Sequence, residues 1–176
     1  MHSLIDNILV GENPARHSGD SRTHCPVLVL GVGNLLMGDE GVGVHVLRAL
    51  ENEVPVEGVR LLDGGTGGIN ILMEFDGVSD VILIDATRDG KPAGCITFLQ
   101  PENVGDLPRG LGAHDFGLKD LFAVSALLGK MPKIHLFTIS VEEIRPMCME
   151  LSNPVSGAMS EVMRKVRELA GKLAFE

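Results

Sequence analysis

The chain has 176 residues, 44% of them apolar and 22% charged, and a formal net charge of −9. That length suits one domain with a substantial core, and the acidic balance, with 15 scattered Lys and Arg, excludes a phosphate-backbone partner. With six Phe and no Trp or Tyr, the core has to be aliphatic and methionine-rich.

Residues 1–24, MHSLIDNILVGENPARHSGDSRTH, are mostly polar and carry neither a basic n-region nor a sustained apolar stretch, so they are not read as a signal peptide. They are expected to form a mobile extension in which Leu4 to Val10 makes at most a short docked helix or strand. The domain itself is expected to run from 25 to 176. No apolar run approaches the ~18 residues needed to cross a bilayer, so a membrane partner is not expected. Cys25, Cys95 and Cys148 are odd in number and far apart, with no CxxC, which points to idle thiols in a reducing cytoplasm.

The first strand is expected at about Pro26 to Val32, a short continuous apolar run. Gly31 and Gly33 break it, Asp39 and Glu40 follow side by side, and apolar spacing turns helical from about Gly41 to Glu53. A second strand, Val59 to Leu62, ends in Asp63-Gly64-Gly65-Thr66-Gly67-Gly68, a turn that brings backbone close to a ligand. A short helix from Ile69 to Phe75 leads to the strand VILID, Val81 to Asp85, and another strand is expected from Cys95 to Leu99.

The loop Pro101 to Gly112 is long enough to suggest function. His114 and Asp115 precede a helix carrying Leu118, Leu121, Phe122, Ser125 and Leu128 at helical spacing. The last strand is IHLFTISV, Ile134 to Val141. Asn153 as N-cap and Pro154 as first helical residue open a final helix with one apolar stripe from Val155 to Leu173. Apolar strands alternating with helices give an α/β fold: a single domain of three α/β/α layers around a twisted, mostly parallel five-stranded sheet.

In such sheets ligands bind beyond the carboxyl ends of the strands. Asp39 and Glu40 follow the first strand, Asp63 ends the second, Asp85 ends the third, and His114 closes the long loop, so all are expected on one rim. A carboxylate before a helix is ordinarily a cap, a role that suits Asp39 and leaves Glu40 unexplained. Two carboxylates and an imidazole suit a divalent transition metal such as nickel or zinc. Gly31-x-Gly33 invites a dinucleotide reading, but Leu36 stands at the third glycine position and the two acids would repel a pyrophosphate. No Ser or Cys lies in a nucleophile pattern, and His45 and His135 are expected to be structural.

GVGNLLMGDEGVGV, LLDGGTGG, ILIDAT and HDFGLKDLF, in this order, resemble the hydrogenase maturation endopeptidases, which process the large subunit of [NiFe] hydrogenases. The resemblance covers roughly Val27 to Leu173. It implies a cytoplasmic hydrolase, expected to be monomeric, that removes a C-terminal peptide from the large-subunit precursor once nickel is inserted. The implied metal ligands are Glu40, Asp85 and His114. Nickel would be carried by the substrate, with another divalent metal standing in for it in a crystal. Asp39 becomes the candidate catalytic base, and Asp63, Gly64, Gly65 and Thr66 the candidate substrate contacts. Whether such an enzyme is of aspartic or metal type stays open, and a non-proteolytic metal-binding assembly chaperone and a nucleotide-binding Rossmann-like protein remain the alternatives. The chain departs from the family pattern after the last strand, where Val141-Glu142-Glu143 replaces a Gly- or Pro-marked turn.

Overall fold

A computed structural model describes residues 26–108, 111, 115–129 and 131–176, with backbone only at 69 and 115–117. The expectations for residues 1–24, Cys25 and His114 lie outside the described residues.

Five strands form one sheet: β1 (Val27–Val32), β2 (Val59–Gly65), β3 (Asp80–Thr87), β4 (Ile96–Leu99) and β5 (Lys133–Ser140), in the order β2-β1-β3-β5-β4. The pairings β1 with β2, β1 with β3 and β3 with β5 are parallel, and only β4 runs antiparallel, against β5. The helices are α1 (Val42–Leu50), α2 (Asp115–Leu127) and α3 (Asn153–Ala174). This is the expected α/β fold.

Alternation along the strands sorts the side chains into two cores. Val27 and Val29 of β1 and Ile82, Ile84 and Ala86 of β3 pack with Val46, Leu47 and Leu50 of α1 and with Val155, Val162, Val166 and Ala170 of α3. Leu28, Leu30, Val81 and Leu83 point the other way and pack with Ile71, Phe75, Leu121 and Phe122. The middle strands are buried on both faces, which is why β1 and β3 read as unbroken apolar runs.

Boundaries differ from the sequence reading at several elements, among them β2, which runs on to Gly65 through residues read as a turn, and β3, which extends to Thr87. The first helix starts one residue later, after a 3-10 turn at Gly38–Gly41 that takes up the acidic pair, and ends at Leu50 rather than Glu53. The segment after β2 is also 3-10, Gly68–Phe75. The N-cap of α3 is Ser152 rather than Asn153, with Pro154 in the first turn.

The chain leaves β1 through α1 on one face to reach β2, then returns through the 3-10 segment on the other face to β3, on the far side of β1. The carboxyl ends of β1 and β3 therefore border the point where strand order reverses. That crevice is where open α/β sheets place their ligands.

Candidate active site

Backbone contact with no side chain between fixes the turn after β1. A Cβ on Gly43 would lie 2.2 Å from the Ile84 carbonyl oxygen and 2.3 Å from that of Val32, and one on Gly31 would lie 2.4 Å from the Gly43 oxygen. The first turn of α1 thus sits directly on β1 and β3. At Gly33, φ is +137°, and a Cβ would meet the Glu40 carbonyl oxygen at 2.0 Å. Glycine is required there both for conformation and for space. Asn34 closes the turn, its Oδ1 accepting from the Leu36 amide and its carbonyl from the Met37 amide, each at 3.0 Å.

Asp39 and Glu40 are neighbours in a 3-10 turn, so their side chains diverge by roughly 120°. Both are buried, at 4% and 1% exposure. Glu40 turns towards β3 and Asp85, while Asp39 turns towards the start of α3. Asp85 continues the row Val81, Leu83 along β3 on the α2 face, and is also 1% exposed. Its Oδ1 accepts from the Ala86 amide at 2.8 Å.

Glu40 and Asp85 line one pocket with Gly33, Gly65, Thr66 and Gly68, walled on the apolar side by Val32, Ile71, Leu111 and Leu118. An antiparallel bridge between Thr87 and Leu111 brings the long loop to this wall. The cavity holds about 30 Å³, room for an ion or a few waters. Two buried carboxylates on so small a cavity form a hard oxygen donor set suited to a divalent cation. Among the described residues, no three His, Cys, Asp or Glu side chains form a metal-ligand group.

The other candidates lie around this pocket. Gly64 is buried beneath it, where a Cβ would meet Leu30 Cδ1 at 2.7 Å. Asp63 is exposed and shapes the turn, its Oδ1 accepting from the Gly65 amide at 2.9 Å and its Oδ2 from Arg48 at 3.3 Å. Asp39 Oδ1 accepts from the Ser152 amide at 2.6 Å and stands 4.0 Å from Arg145. It therefore meets the N-cap residue of α3, 113 residues away, and not the helix it precedes in sequence. Arg145 and Ser152 belong to the segment after β5 and carry no motif. Only the departure at Val141-Glu142-Glu143 marked that region.

His45 on α1 is held below its ordinary value by burial and by the Arg48 charge, against an opposing hydrogen bond with the Met149 backbone. His135 is buried at the amino end of the sheet. Its Nε2 meets Asp80 Oδ1 at 2.8 Å and its Nδ1 meets Gln100 Nε2 at 3.0 Å. An amide nitrogen only donates, so Nδ1 accepts and Nε2 carries the proton. His135, with both ring nitrogens bonded, is structural, as expected.

The family model for hydrogenase maturation proteases matches residues 44–169. The hydrogenase expression/formation protein HupD of Thiocapsa roseopersicina is 38% identical over 129 residues, 70% of this chain, and the chain spans 57% of that protein's length. The hydrogenase 2 maturation protease of Escherichia coli is 32% identical, the match covering 81% of this chain and 91% of that one. The solved structure of the hydrogenase maturating endopeptidase HybD from E. coli superposes with a TM-score of 0.71 at 30% identity, over 80% of this chain and 88% of that one. That of the [NiFe] hydrogenase maturation protease HybD from Thermococcus kodakarensis gives 0.66 at 29% identity, over 82% and 98%. No helix among the described residues is long and apolar enough to cross a membrane. The chain belongs to the hydrogenase maturation protease family.

Proposed function

We propose that the chain is a cytoplasmic endopeptidase that removes a C-terminal peptide from the large-subunit precursor of a [NiFe] hydrogenase, and that it reads nickel already seated in that precursor. The observation that carries this reading is the convergence of Glu40 and Asp85, each 1% exposed, on one small pocket at the strand switch point. Two buried carboxylates on one small cavity offer oxygen ligands to a divalent cation, and a substrate-borne nickel is such a cation. His114, at the end of the loop that carries Leu111, is the third ligand in this reading.

Gly65 and Thr66, on the same pocket, contact the substrate around its metal, while Asp63 and Gly64 hold that turn in shape. Precursor without nickel then loses its main point of attachment, so trimming follows metal loading. Glu40, Asp85 and His114 would hold that cation, which would supply polarisation of the scissile carbonyl or activation of a water. The enzyme acts as a monomer.

The test is to incubate the purified protein with nickel-loaded and nickel-free large-subunit precursor and follow C-terminal trimming. Only the loaded precursor is expected to be cut, and Glu40→Gln or His114→Ala is expected to abolish cutting. Equal trimming of both precursors, or undiminished trimming by either variant, overturns the reading. Binding of precursor without trimming identifies an assembly chaperone instead.

A further inference from the structure

We propose that Asp39 is a positioning residue, whose carboxylate, locked on the Ser152 amide, sets the angle at which Glu40 enters the pocket. The inference rests on the reading of Glu40 given above and extends it to a residue outside the pocket.

Asp39 and Glu40 share a peptide unit inside a four-residue 3-10 turn. Rotation of one side chain's anchor therefore rotates the other. Asp39 is 4% exposed and accepts from Ser152 N at 2.6 Å, a charge-assisted bond to the amide of the N-cap residue of the longest helix. Arg145, 4.0 Å away, offsets the buried charge.

The turn is gripped by backbone as well. The Gly38 amide donates to the Cys148 carbonyl at 2.7 Å, the Cys148 amide to Leu36 at 3.3 Å, and the Arg145 amide to Met37 at 3.3 Å. Gly38 has φ +65°, and a Cβ there would press on Arg145 at 3.3 Å. Met147, between these contacts, takes φ +60°, unlike any other non-glycine among the described residues. A strained residue persists where its surroundings over-determine it, and here the flanking bonds to the acidic turn do so. The segment after β5 is thus a clamp on the turn, and Asp39 is the side chain by which the turn answers.

A base and a positioning group differ in what they lose on amidation. Asn keeps an Oδ1 acceptor for the Ser152 amide but has no proton-accepting carboxylate. Asp39→Asn, Asp39→Ala and wild type are compared on nickel-loaded large-subunit precursor, with thermal melting to establish that each is folded. Asp39→Asn is expected to retain cleavage within about threefold. Asp39→Ala is expected to lose roughly 10–100-fold in kcat with KM little changed, as misplacement of a reacting group does. In a crystal structure of Asp39→Ala, Glu40 is expected to be displaced from its place beside Asp85.

Loss in Asp39→Asn equal to that in Asp39→Ala overturns the proposal and makes the charge itself essential. Wild-type kcat in Asp39→Ala overturns it too. Should Asp39→Ala not fold, the Asp39→Asn comparison alone decides between charge and acceptor. If wild type leaves the precursor untrimmed, the proposed function falls, and the position of Glu40 in the Asp39→Ala crystal still decides whether Asp39 sets it.

Discussion

Strand β3 carries a buried carboxylate at each end, and the two live in opposite chemistries. Asp80 opens the strand and Asp85 stands five residues on, roughly 16 Å along the strand at ~3.3 Å per residue, and on the other face because five is odd. Asp80 is closed off by its neighbours: the His135 Nε2–H at 2.8 Å, the Ser79 hydroxyl at 2.8 Å, and Gln100 holding the far side of the imidazole. Asp85 shares a cavity with a second carboxylate, Glu40, among glycine backbone and aliphatic side chains. One end satisfies its charge from within the chain. The other places two carboxylates on one cavity, an oxygen donor set that suits a ligand bearing a divalent cation. Burial alone would not separate the two, and a list of buried acids would rank them together. What separates them is whether the carboxylate faces a cavity.

The sharpest way to break the contrast is to disturb the backbone that creates the cavity end. Gly43→Ala places a methyl 2.2 and 2.3 Å from the carbonyl oxygens of Ile84 and Val32, both within buried strands that have no room to retreat. A destabilisation of about 3 kcal/mol is expected, the upper end of ordinary overpacking. At 2–4 °C per kcal/mol for a chain this size, the melting temperature falls by roughly 6–12 °C. Because α1 is pushed off the sheet just after Glu40, cleavage falls as well. An unchanged melting temperature would mean that the helix seats on the sheet differently from the contacts described.

The contrast itself is tested by treating its two ends alike. Asp85→Asn is expected to lower precursor cleavage by about 100-fold, equivalent to about 2.7 kcal/mol of barrier, while the melting temperature stays near wild type because Asn keeps an Oδ1 acceptor for the Ala86 amide. Asp80→Ala should do the reverse. It leaves the His135 Nε2–H buried without its acceptor, at a cost of about 2 kcal/mol, and leaves the cleavage rate per folded molecule unchanged. Melting curves and trimming assays on both variants decide the matter. Comparable effects of the two substitutions on either readout would erase the distinction.

Much of this contrast could be read from the chain, and the missing part has a physical reason. The run Val81 to Asp85 shows a buried strand with an acid at its carboxyl end, and the glycines around Gly31 and Gly33 show a tight turn, because both signals are local. The order of the four family motifs was specific enough to identify the family. The partner of Asp39 was not legible: Ser152 lies 113 residues away and contributes only a backbone amide, which leaves no mark on side-chain pattern. The Asp80–His135–Gln100 network hid for the same reason, since β4 had to run antiparallel before Gln100 met the imidazole. Periodicity tells which face a residue takes, and not which distant strand end will face it.

A third acid near the end of β3 gives the smallest effect and marks the boundary of the contrast. Asp89 sits just past the strand on the same rim as Asp85 and, like Asp80, is held by side-chain donors and faces away from the Glu40 pocket. Partial burial pulls its pKa upward, but the Ser140 hydroxyl, the Lys91 amide and the Lys91 ammonium outweigh that and hold it below its ordinary 3.8. The Ser140 Oγ donates to Oδ1 at 2.8 Å and Lys91 Nζ lies 3.1 Å from Oδ2. A carboxylate whose folded pKa is depressed contributes stability above its unfolded value and loses it as pH falls through the folded one. The contribution is therefore intact at pH 7 and declines only below about 3.8. Asp89→Asn should lower the melting temperature slightly at pH 7, and the difference should shrink as pH falls below 3.8 and the wild-type carboxyl takes up its proton. The group is largely solvated, so screening keeps the shift small, on the order of a degree. Cleavage stays at the wild-type rate, because Asp89 meets its donors within the chain and faces no cavity with Glu40. A pH-independent loss of stability in Asp89→Asn would show that Ser140 and Lys91 hold the side chain by its shape and not by its charge.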